Sequence, residues 1–193
     1  MTRLMGLVAA ALVAVSANAK ADTVIFNASA LQGQLAAEAQ LTGLAWHVGD
    51  EADYNVSIGG FITGTSHNFV REETATSFWF EQNMDLGFMG KQRIEILINK
   101  TSGQIEKIIA NGKDQAIPDA GDQEIVEMKE DKVTVPAGSF DCIYAKIKSK
   151  KDNSIQEAWI NPQLVPMSGL LKALADSQFG KVTQEATKFS FKK

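Results

Sequence analysis

Residues 52–58 read ADYNVSI, a stretch in which apolar and polar side chains alternate without a break. A period of two is typical of a β-strand that buries one face and exposes the other. The apolar positions are Ala52, Tyr54, Val56 and Ile58. A pair of glycines follows at once, which favours a turn. The stretch therefore predicts a half-buried strand that ends in a turn.

Similar extended patterns run from this strand almost to the end of the sequence. They cover residues 61–71, 76–86, 92–98, 104–110, 124–135, 139–149, 154–160 and 181–193. Most are separated by short turns, such as the Asn111-Gly112 pair that is typical of a tight hairpin. Strands joined by short turns pair antiparallel. We therefore expect about seven to ten strands in one antiparallel, β-rich domain over residues 46–193, either a curved sheet or barrel-like.

Two segments are interpreted as helices. In residues 28–44 the side chains of Leu31, Leu35 and Ala39 recur at helical spacing, which predicts an amphipathic helix laid against the sheet. Residues 170–177, LLKALADS, are interpreted as a second, short helix. The expected fold class is thus mainly β (α+β), with an N-terminal helical segment over residues 20–45 and a short C-terminal helix.

The first 19 residues have the organisation of a secretory signal peptide. Arg3 supplies a positive charge, residues 4–15 form an apolar core, and Ala17-Asn18-Ala19 makes a small-residue cleavage site. The apolar core is too short for a membrane span, which needs about 20 apolar residues. No cysteine follows the cleavage site to accept a lipid. The sequence predicts cleavage near Ala19 and a periplasmic or secreted protein without a transmembrane anchor.

The charge balance argues against two classes of partner. The chain has 19 Lys and Arg against 23 Asp and Glu, a formal net charge of −4. Nucleic acids and anionic membrane surfaces both attract clustered positive charge. Neither is expected as a partner driven by electrostatics.

Cys142 is the only cysteine, so no disulfide can form within the chain. It lies between Phe140 and Tyr144 on one face of a predicted strand, where a free thiol behaves as a small apolar group. Packing in the core is the preferred interpretation. A disulfide between two chains and a catalytic thiolate remain the alternatives, and the expected state is a monomer.

The stretch around this cysteine resembles a group of exported bacterial β-sheet proteins of unknown function. Their shared pattern is V-P-x-G-[ST]-F, then a strand, then a tryptophan near a proline-containing connector. Here residues 135–140 read VPAGSF, and Trp159 precedes the connector at residues 161–166. The resemblance implies a curved antiparallel sheet or half-barrel, similar in architecture to periplasmic carriers of lipoproteins or lipids. It implies no catalytic residues.

The sequence contains no recognisable motif for catalysis, metal binding or cofactor binding. His47 and His67, with nearby carboxylates, match no zinc spacing, and Asp119 with Asp122 lacks the rest of a calcium loop. Neither a nucleophile elbow nor a phosphate-binding loop occurs. Paired carboxylates such as Glu72-Glu73 are more simply explained by exposed strand faces. We expect a protein that is not an enzyme and has no cofactor or metal.

Apolar residues are more abundant in the middle of the chain than one sheet face requires. The preferred hypothesis is a soluble carrier whose concave face holds a lipid or other apolar ligand. The predicted lining residues are Phe78, Phe80, Ile94, Ile96, Phe140 and Tyr144. The alternative is an envelope interaction or assembly factor that contacts a partner protein through an exposed strand edge or the loop at residues 114–123. An internal cavity would favour the carrier, and a filled interior with an exposed apolar patch would favour the interaction protein.

Overall fold

The computed structural model of the protein describes residues 13–14, 25–26, 44–117, 123–150, 153–177 and 179–192. Strands β1 (Val13–Ala14) and β2 (Ile25–Phe26) form a separate two-residue antiparallel ladder. Apart from these four residues and Leu44, the predicted signal peptide and the predicted helix over residues 28–44 lie outside the described residues. Within those residues, no helix is long and apolar enough to span a membrane.

The main body is one antiparallel sheet of eleven strands. They are β3 (Glu51–Ile58), β4 (Ile62–Glu73), β5 (Ser77–Asp85), β6 (Lys91–Asn99), β7 (Ile105–Ala110), β8 (Lys113–Gln115), β9 (Gln123–Val135), β10 (Gly138–Ser149), β11 (Ile155–Ile160), β12 (Leu170–Ser177) and β13 (Gly180–Ser190). A 3-10 turn, Gly87–Met89, joins β5 to β6. The prediction of a mainly β, antiparallel domain is confirmed.

Across the sheet the strands follow the order β8-β7-β6-β5-β4-β3-β13-β12-β11-β10-β9. Two meanders, β3–β8 and β9–β13, are therefore joined where the first strand of one pairs with the last strand of the other. The pairing of β13 with β3 runs from Val182 opposite Ile58 to Ser190 opposite Glu51. Because β8 and β9 each have one neighbour, the sheet is open and does not close into a barrel.

The predicted C-terminal helix over residues 170–177 is wrong, because this segment is strand β12. Leucine, alanine and lysine are among the best helix formers, but intrinsic propensity is a weak preference, and pairing with neighbouring strands overrides it. Here β12 pairs with β11 on one side and with β13 on the other. Ala173 and Ala175 are buried, while Lys172 and Leu174 alternate with them on the opposite face. No α-helix occurs in the described part of the chain.

The two faces of the sheet differ in polarity. We call the face that carries Phe80, Ile96 and Val70 the inner face, since these three residues share one cross-strand row and are buried. Trp46, which precedes β3, packs on this face, with its ring centroid 5.9 Å from that of Phe78. Each apolar side chain of this size stabilises the fold by about 1.5–3 kcal/mol when fully buried. The opposite, outer face is mainly polar.

The sheet is strongly curled at the β9–β10 hairpin. The backbone N–H of Ala137, in the turn of that hairpin, donates a 3.0 Å hydrogen bond to the carbonyl of Ala186 in β13. In the strand order, β11 and β12 lie between β10 and β13. The hydrogen bond therefore requires this part of the sheet to bend back on itself.

A second, smaller apolar cluster lies at one end of the sheet. Its buried members are Val56, Ile58, Ile62, Leu86 and Val182, and the side chain of Met89 packs against them. Gly64 permits the close approach of β5 to β4, because a Cβ atom there would lie 2.2 Å from the carbonyl oxygen of Asp85. We call this end of the sheet, which contains the β3–β4, β5–β6 and β12–β13 turns, the turn end.

Candidate functional site

Strand β9 is a long, open edge of the sheet. Among the described residues it pairs only with β10, and its residues 124–132 are exposed. The other edge strand, β8, has only three residues, Lys113–Gln115. An unpaired strand edge presents backbone N–H and C=O groups that can pair with another chain. Of the two edges, β9 is the one long enough for such pairing.

Three neighbouring positions of β9 carry exposed apolar side chains. Ile125, Val126 and Met128 are 48%, 46% and 47% exposed. Ile125 lies opposite Ile147 and Met128 opposite Ala145, both of which are buried. A register shift beside Ile147 leaves Val126 without a direct partner. These three residues, which we call the β9 apolar rim, extend the apolar inner face to the edge of the sheet.

On the other face of β9, polar side chains make hydrogen bonds and an ion pair. Lys129 Nζ donates to Glu127 Oε1 at 2.7 Å and lies 5.0 Å from the ring centroid of Tyr144. Trp159 Nε1 donates to Asp131 Oδ2 at 2.9 Å. The backbone N–H of Lys132, together with the Trp159 hydrogen bond, lowers the pKa of Asp131. These interactions fix the strand without involving the β9 apolar rim.

Four of the six predicted ligand-lining residues lie together. Phe78, Phe80, Ile94 and Ile96 come from adjacent strands β5 and β6, face the inner side and are buried in one apolar cluster. Phe140 is half-buried and packs against the same cluster. Phe78, Phe80, Ile94 and Ile96 are therefore assembled on one face, as the sequence predicts.

Tyr144 is separated from that group. It lies cross-strand from Trp159, in the outer-face row that includes Lys172, and its hydroxyl donates to Glu157 Oε2 at 3.0 Å. The Tyr144 and Trp159 ring centroids are 5.1 Å apart. Burial, followed by the Glu157 carboxylate, raises the pKa of Tyr144 to about 12. Tyr144 thus stabilises the outer face.

A set of buried, hydrogen-bonded polar side chains lies on the inner face, and the sequence analysis did not predict it. Gln82 Nε2 donates to Ser66 Oγ at 3.1 Å, and Ser66 Oγ donates to Asn68 Oδ1 at 2.8 Å. The Oε1 atoms of Gln82 and Gln156 are buried and have no hydrogen-bond partner in the described part of the chain. Both glutamines occupy strand positions at which the alternating pattern calls for an apolar residue, and this could have revealed them in the sequence.

Cys142 is a buried free thiol, as the packing interpretation predicts. Its Sγ donates to the backbone carbonyl of Asp131 at 3.4 Å. Burial, followed by the negative charge of Asp131, raises the pKa of the thiol to about 11. Because the thiolate is the reactive form of cysteine, this environment disfavours a nucleophilic role.

The two histidines each face one carboxylate. His67 Nδ1 lies 2.6 Å from Asp53 Oδ1, and His47 Nδ1 lies 3.9 Å from Asp50 Oδ2. No group of three or more metal-binding side chains occurs within the described ranges. Asp119 and Asp122 lie outside them. His67 and Asp53 border an open groove of about 600 Å³ on the outer face, together with Asn83 and Arg93.

An ion-pair network lies beside this groove on strands β4 to β6. The buried carboxylate of Glu81 accepts hydrogen bonds from Arg93 at 2.8 Å, Arg71 at 3.2 Å and Asn83 at 2.9 Å. Both arginines also bind Glu95. Arg71 in addition lies over the ring of Trp79. Because each charge is paired within the network, it acts as structural support for the outer face.

No protein-family model matches the chain, and no curated protein sequence matches it either. Among solved structures, MucB is 14% identical, with a TM-score of 0.45 over 86% of this chain and 59% of MucB, so the chain spans less than two thirds of MucB. The hypothetical protein CT021 from Chlamydia trachomatis is 11% identical, with a TM-score of 0.48 over 76% of this chain and 89% of CT021. A candidate exported protein with a YmcC-like fold from Bacteroides fragilis is 12% identical, with a TM-score of 0.41 over 77% of this chain and 98% of its own. Likeness at this level identifies no shared ligand or partner.

Proposed function

We propose that the protein is a non-enzymatic binding protein of the bacterial envelope that takes up an extended segment of a partner protein along strand β9. The observation that carries the proposal is the β9 apolar rim on the long open edge of the sheet. The predicted signal peptide and the acidic net charge support an exported protein that does not bind nucleic acid.

Strand addition explains why apolar side chains lie on this edge. A partner strand would satisfy the outward backbone groups of β9, and main-chain hydrogen bonds of this kind supply affinity while side-chain pockets supply specificity. Ile125 and Met128 both lie on the inner-face side of β9. A partner strand beside them would bury their exposed surface with its own apolar side chains. The expected partner segment therefore alternates apolar and polar residues.

The first test is a crosslinking scan in cells. A photoreactive amino acid replaces Ile125, Val126 or Met128 in turn, and Ile117 serves as the matched control because it is also apolar and is 42% exposed. Strand addition predicts the same crosslinked partner from all three rim positions and none from the Ile117 position. The same partner captured equally from Ile117 would contradict a site at β9.

The second test measures the geometry of binding. Once a partner segment is identified, hydrogen exchange of backbone amides is followed with and without the corresponding peptide. Strand addition predicts protection of those β9 amides that point away from β10. Met128→Lys should weaken binding, and Ile117→Lys should leave it unchanged. Binding without protection of β9 amides would place the partner elsewhere.

A carrier of an apolar ligand on the inner face is the second candidate. The observation in its favour is a group of small, buried side chains on strands β10 to β12, namely Ala145, Ala158, Ala173 and Ala175. The protein would be purified without detergent from its host envelope and weighed by native mass spectrometry. A carrier predicts a co-purifying mass that is lost on organic extraction. A bare protein mass under these conditions would contradict it.

A further inference from the structure

Three hairpin turns at the turn end of the sheet each carry one exposed phenylalanine. Phe61 lies in the β3–β4 turn and is 66% exposed, Phe88 lies in the β5–β6 turn and is 83% exposed, and Phe179 precedes β13 and is 41% exposed. The smaller apolar cluster lies directly behind these turns. The three rings are not among the residues of that cluster, although it is the nearest apolar interior.

The strand order makes the three turns neighbours. Strands β6, β5, β4, β3, β13 and β12 follow one another across the sheet, so successive hairpins at this end bear Phe88, Phe61 and Phe179 in that order. Adjacent strands are about 4.8 Å apart, which places the tips of successive hairpins about 10 Å from each other. The phenylalanines thus form a row along one end of the molecule.

The turns that bear Phe61 and Phe179 are held together. The backbone N–H of Gly59 donates a 2.9 Å hydrogen bond to the carbonyl of Lys181. Gly59 and Gly180 have φ angles of 61° and 99°, and a Cβ atom at Gly59 would lie 2.2 Å from the carbonyl oxygen of Phe179. Because both glycines allow this close approach, the two aromatic tips have fixed relative positions.

Phe88 is presented by an equally tight turn. Gly87 and Gly90, on either side of it, have φ angles of 61° and 88°. The N–H of Leu86 donates to the carbonyl of Gly90 at 3.0 Å, which closes the turn, and the buried side chain of Leu86 anchors it. The exposed ring is therefore carried by a braced turn.

The charges around the row compensate one another. Lys91 Nζ lies 3.4 Å from Asp85 Oδ2, and Lys181 lies cross-strand from Asp176. The tip of the molecule consequently combines apolar rings and glycines with a local net charge near zero. This differs from a surface that binds anionic lipids through clustered Lys and Arg.

We propose that Phe61, Phe88 and Phe179 insert into the interfacial region of a lipid bilayer and dock the turn end of the sheet onto a membrane surface. Exposed rings on narrow, glycine-flanked turns suit a fluid interface, which adapts to their shape. The Phe61 ring lies beside the Phe179 backbone, and Phe88 is carried by a second turn about 10 Å away. This narrow row lacks the broad, continuous complementary surface that a protein partner needs. Aromatic side chains favour the membrane interface, and binding scales with the apolar area they bury there. The site is separate from strand β9, so either proposal can fail alone.

The test is flotation of the purified protein with phosphatidylcholine vesicles. Phe61→Ser, Phe88→Ser and Phe179→Ser are compared with Phe191→Ser, a matched control because Phe191 is 47% exposed and follows the opposite end of β13. Each tip substitution should weaken vesicle binding on the order of tenfold. The variant that carries all three substitutions should no longer float with the vesicles. Phe191→Ser should bind as the unmodified protein does. Thermal unfolding of each variant shows that the fold is kept.

The salt dependence provides a second measurement. Because the apolar effect drives the docking, binding should change little between low and high salt, and phosphatidylglycerol should not be required. Failure of the unmodified protein to bind vesicles overturns the proposal, as does an equal loss of binding in Phe191→Ser. Binding that needs phosphatidylglycerol and disappears in high salt also overturns it. If the tip substitutions instead dissociate a dimer that binds no vesicles, the row contacts a second copy and the lipid proposal is wrong.

Discussion

The ring of Phe140 in β10 meets the ring of Phe189 in β13 edge-on, with the centroids 5.7 Å apart and an interplanar angle of 60°. These strands are not neighbours in the sheet, because β11 and β12 lie between them. The aromatic contact and the Ala137–Ala186 hydrogen bond therefore join the same two regions. Together they maintain the curl that brings the β9–β10 hairpin back towards the centre of the sheet.

The Phe140–Phe189 contact should be measurable in a double-mutant cycle. Phe140→Ala and Phe189→Ala are each compared with the double variant by chemical denaturation. Edge-to-face pairs contribute about 0.5–1.5 kcal/mol beyond the area that they bury, so we expect a coupling free energy in that range. Strictly additive losses would show that the two rings contribute independently. Phe191→Ala, which removes an exposed ring two residues after Phe189, should change stability little.

Gly59 and Gly60 form a matched pair for testing the locked turn. Both have positive φ, but a Cβ atom at Gly60 meets nothing within 4 Å, whereas at Gly59 it meets the carbonyl oxygen of Phe179. Gly60→Ala should cost only the backbone strain, about 1 kcal/mol in the free energy of unfolding. Gly59→Ala adds a steric conflict and should cost at least about 1 kcal/mol more. Equal losses in thermal and denaturant unfolding would contradict the close approach.

Glu81 should make the protein less stable in acid. Burial raises the pKa of this carboxyl, but the hydrogen bonds from Asn83 and Arg93 outweigh burial, so the pKa is below its ordinary value of 4.5. A carboxyl group whose pKa is lower in the folded state stabilises the protein at pH values above its ordinary pKa. This stabilisation is lost as the pH falls through the lower pKa. Glu81→Gln should reduce the free energy of unfolding by about 1–3 kcal/mol at neutral pH and flatten its decline below pH 4.5. The exposed Glu124→Gln is the control, and an unchanged acid profile in Glu81→Gln would refute this role.

Cys142 should react slowly with thiol reagents. With its pKa raised to about 11 from an ordinary value of 9.0, the folded protein has roughly 100-fold less thiolate at pH 8 than a free thiol has. The labelling rate of native protein should therefore rise mainly above pH 9 and reach that of unfolded protein only in denaturant. The protonated thiol also favours folding at neutral pH, and this contribution is lost as the pH rises from 9.0 to about 11. Rapid labelling at pH 8 would show that the thiol is accessible and activated.

The sequence predicted most strands because alternation and turn residues are local signals. Residues 52–58 and 92–98 became β3 and β6 as expected, since both carry apolar residues at every second position. Residues 170–177 were predicted wrongly because their composition suits a helix, and the neighbours that make them a strand are distant in the chain. Pairing of β3 with β13 likewise depends on contacts that no short stretch encodes.

The site was less predictable, because the face on which a side chain lies depends on register with other strands. The sequence grouped Tyr144 with Phe78 and Ile94, but pairing with Trp159 places it on the outer face. Phe61 and Phe88, which are exposed at turns, were also not singled out from the sequence. The signal was present in the flanking glycines of GGF at residues 59–61 and GFMG at residues 87–90. Glycine weakens a strand interior, so a bulky residue next to a pair of glycines is more typical of a turn.

The pairing of β3 with β13, which we call the seam, bears on how this chain folds. β3 is the first strand of the large sheet to be synthesised and β13 is the last, yet they lie side by side at its centre. The hairpins of each meander can form early, because their partners are adjacent in the chain, whereas the seam must wait for β13 and is a slow, non-local step. Until then β3 and β12 each have an unpaired edge, which invites pairing with other molecules. Efficient folding therefore depends on keeping newly made chains apart until the final strand is in place.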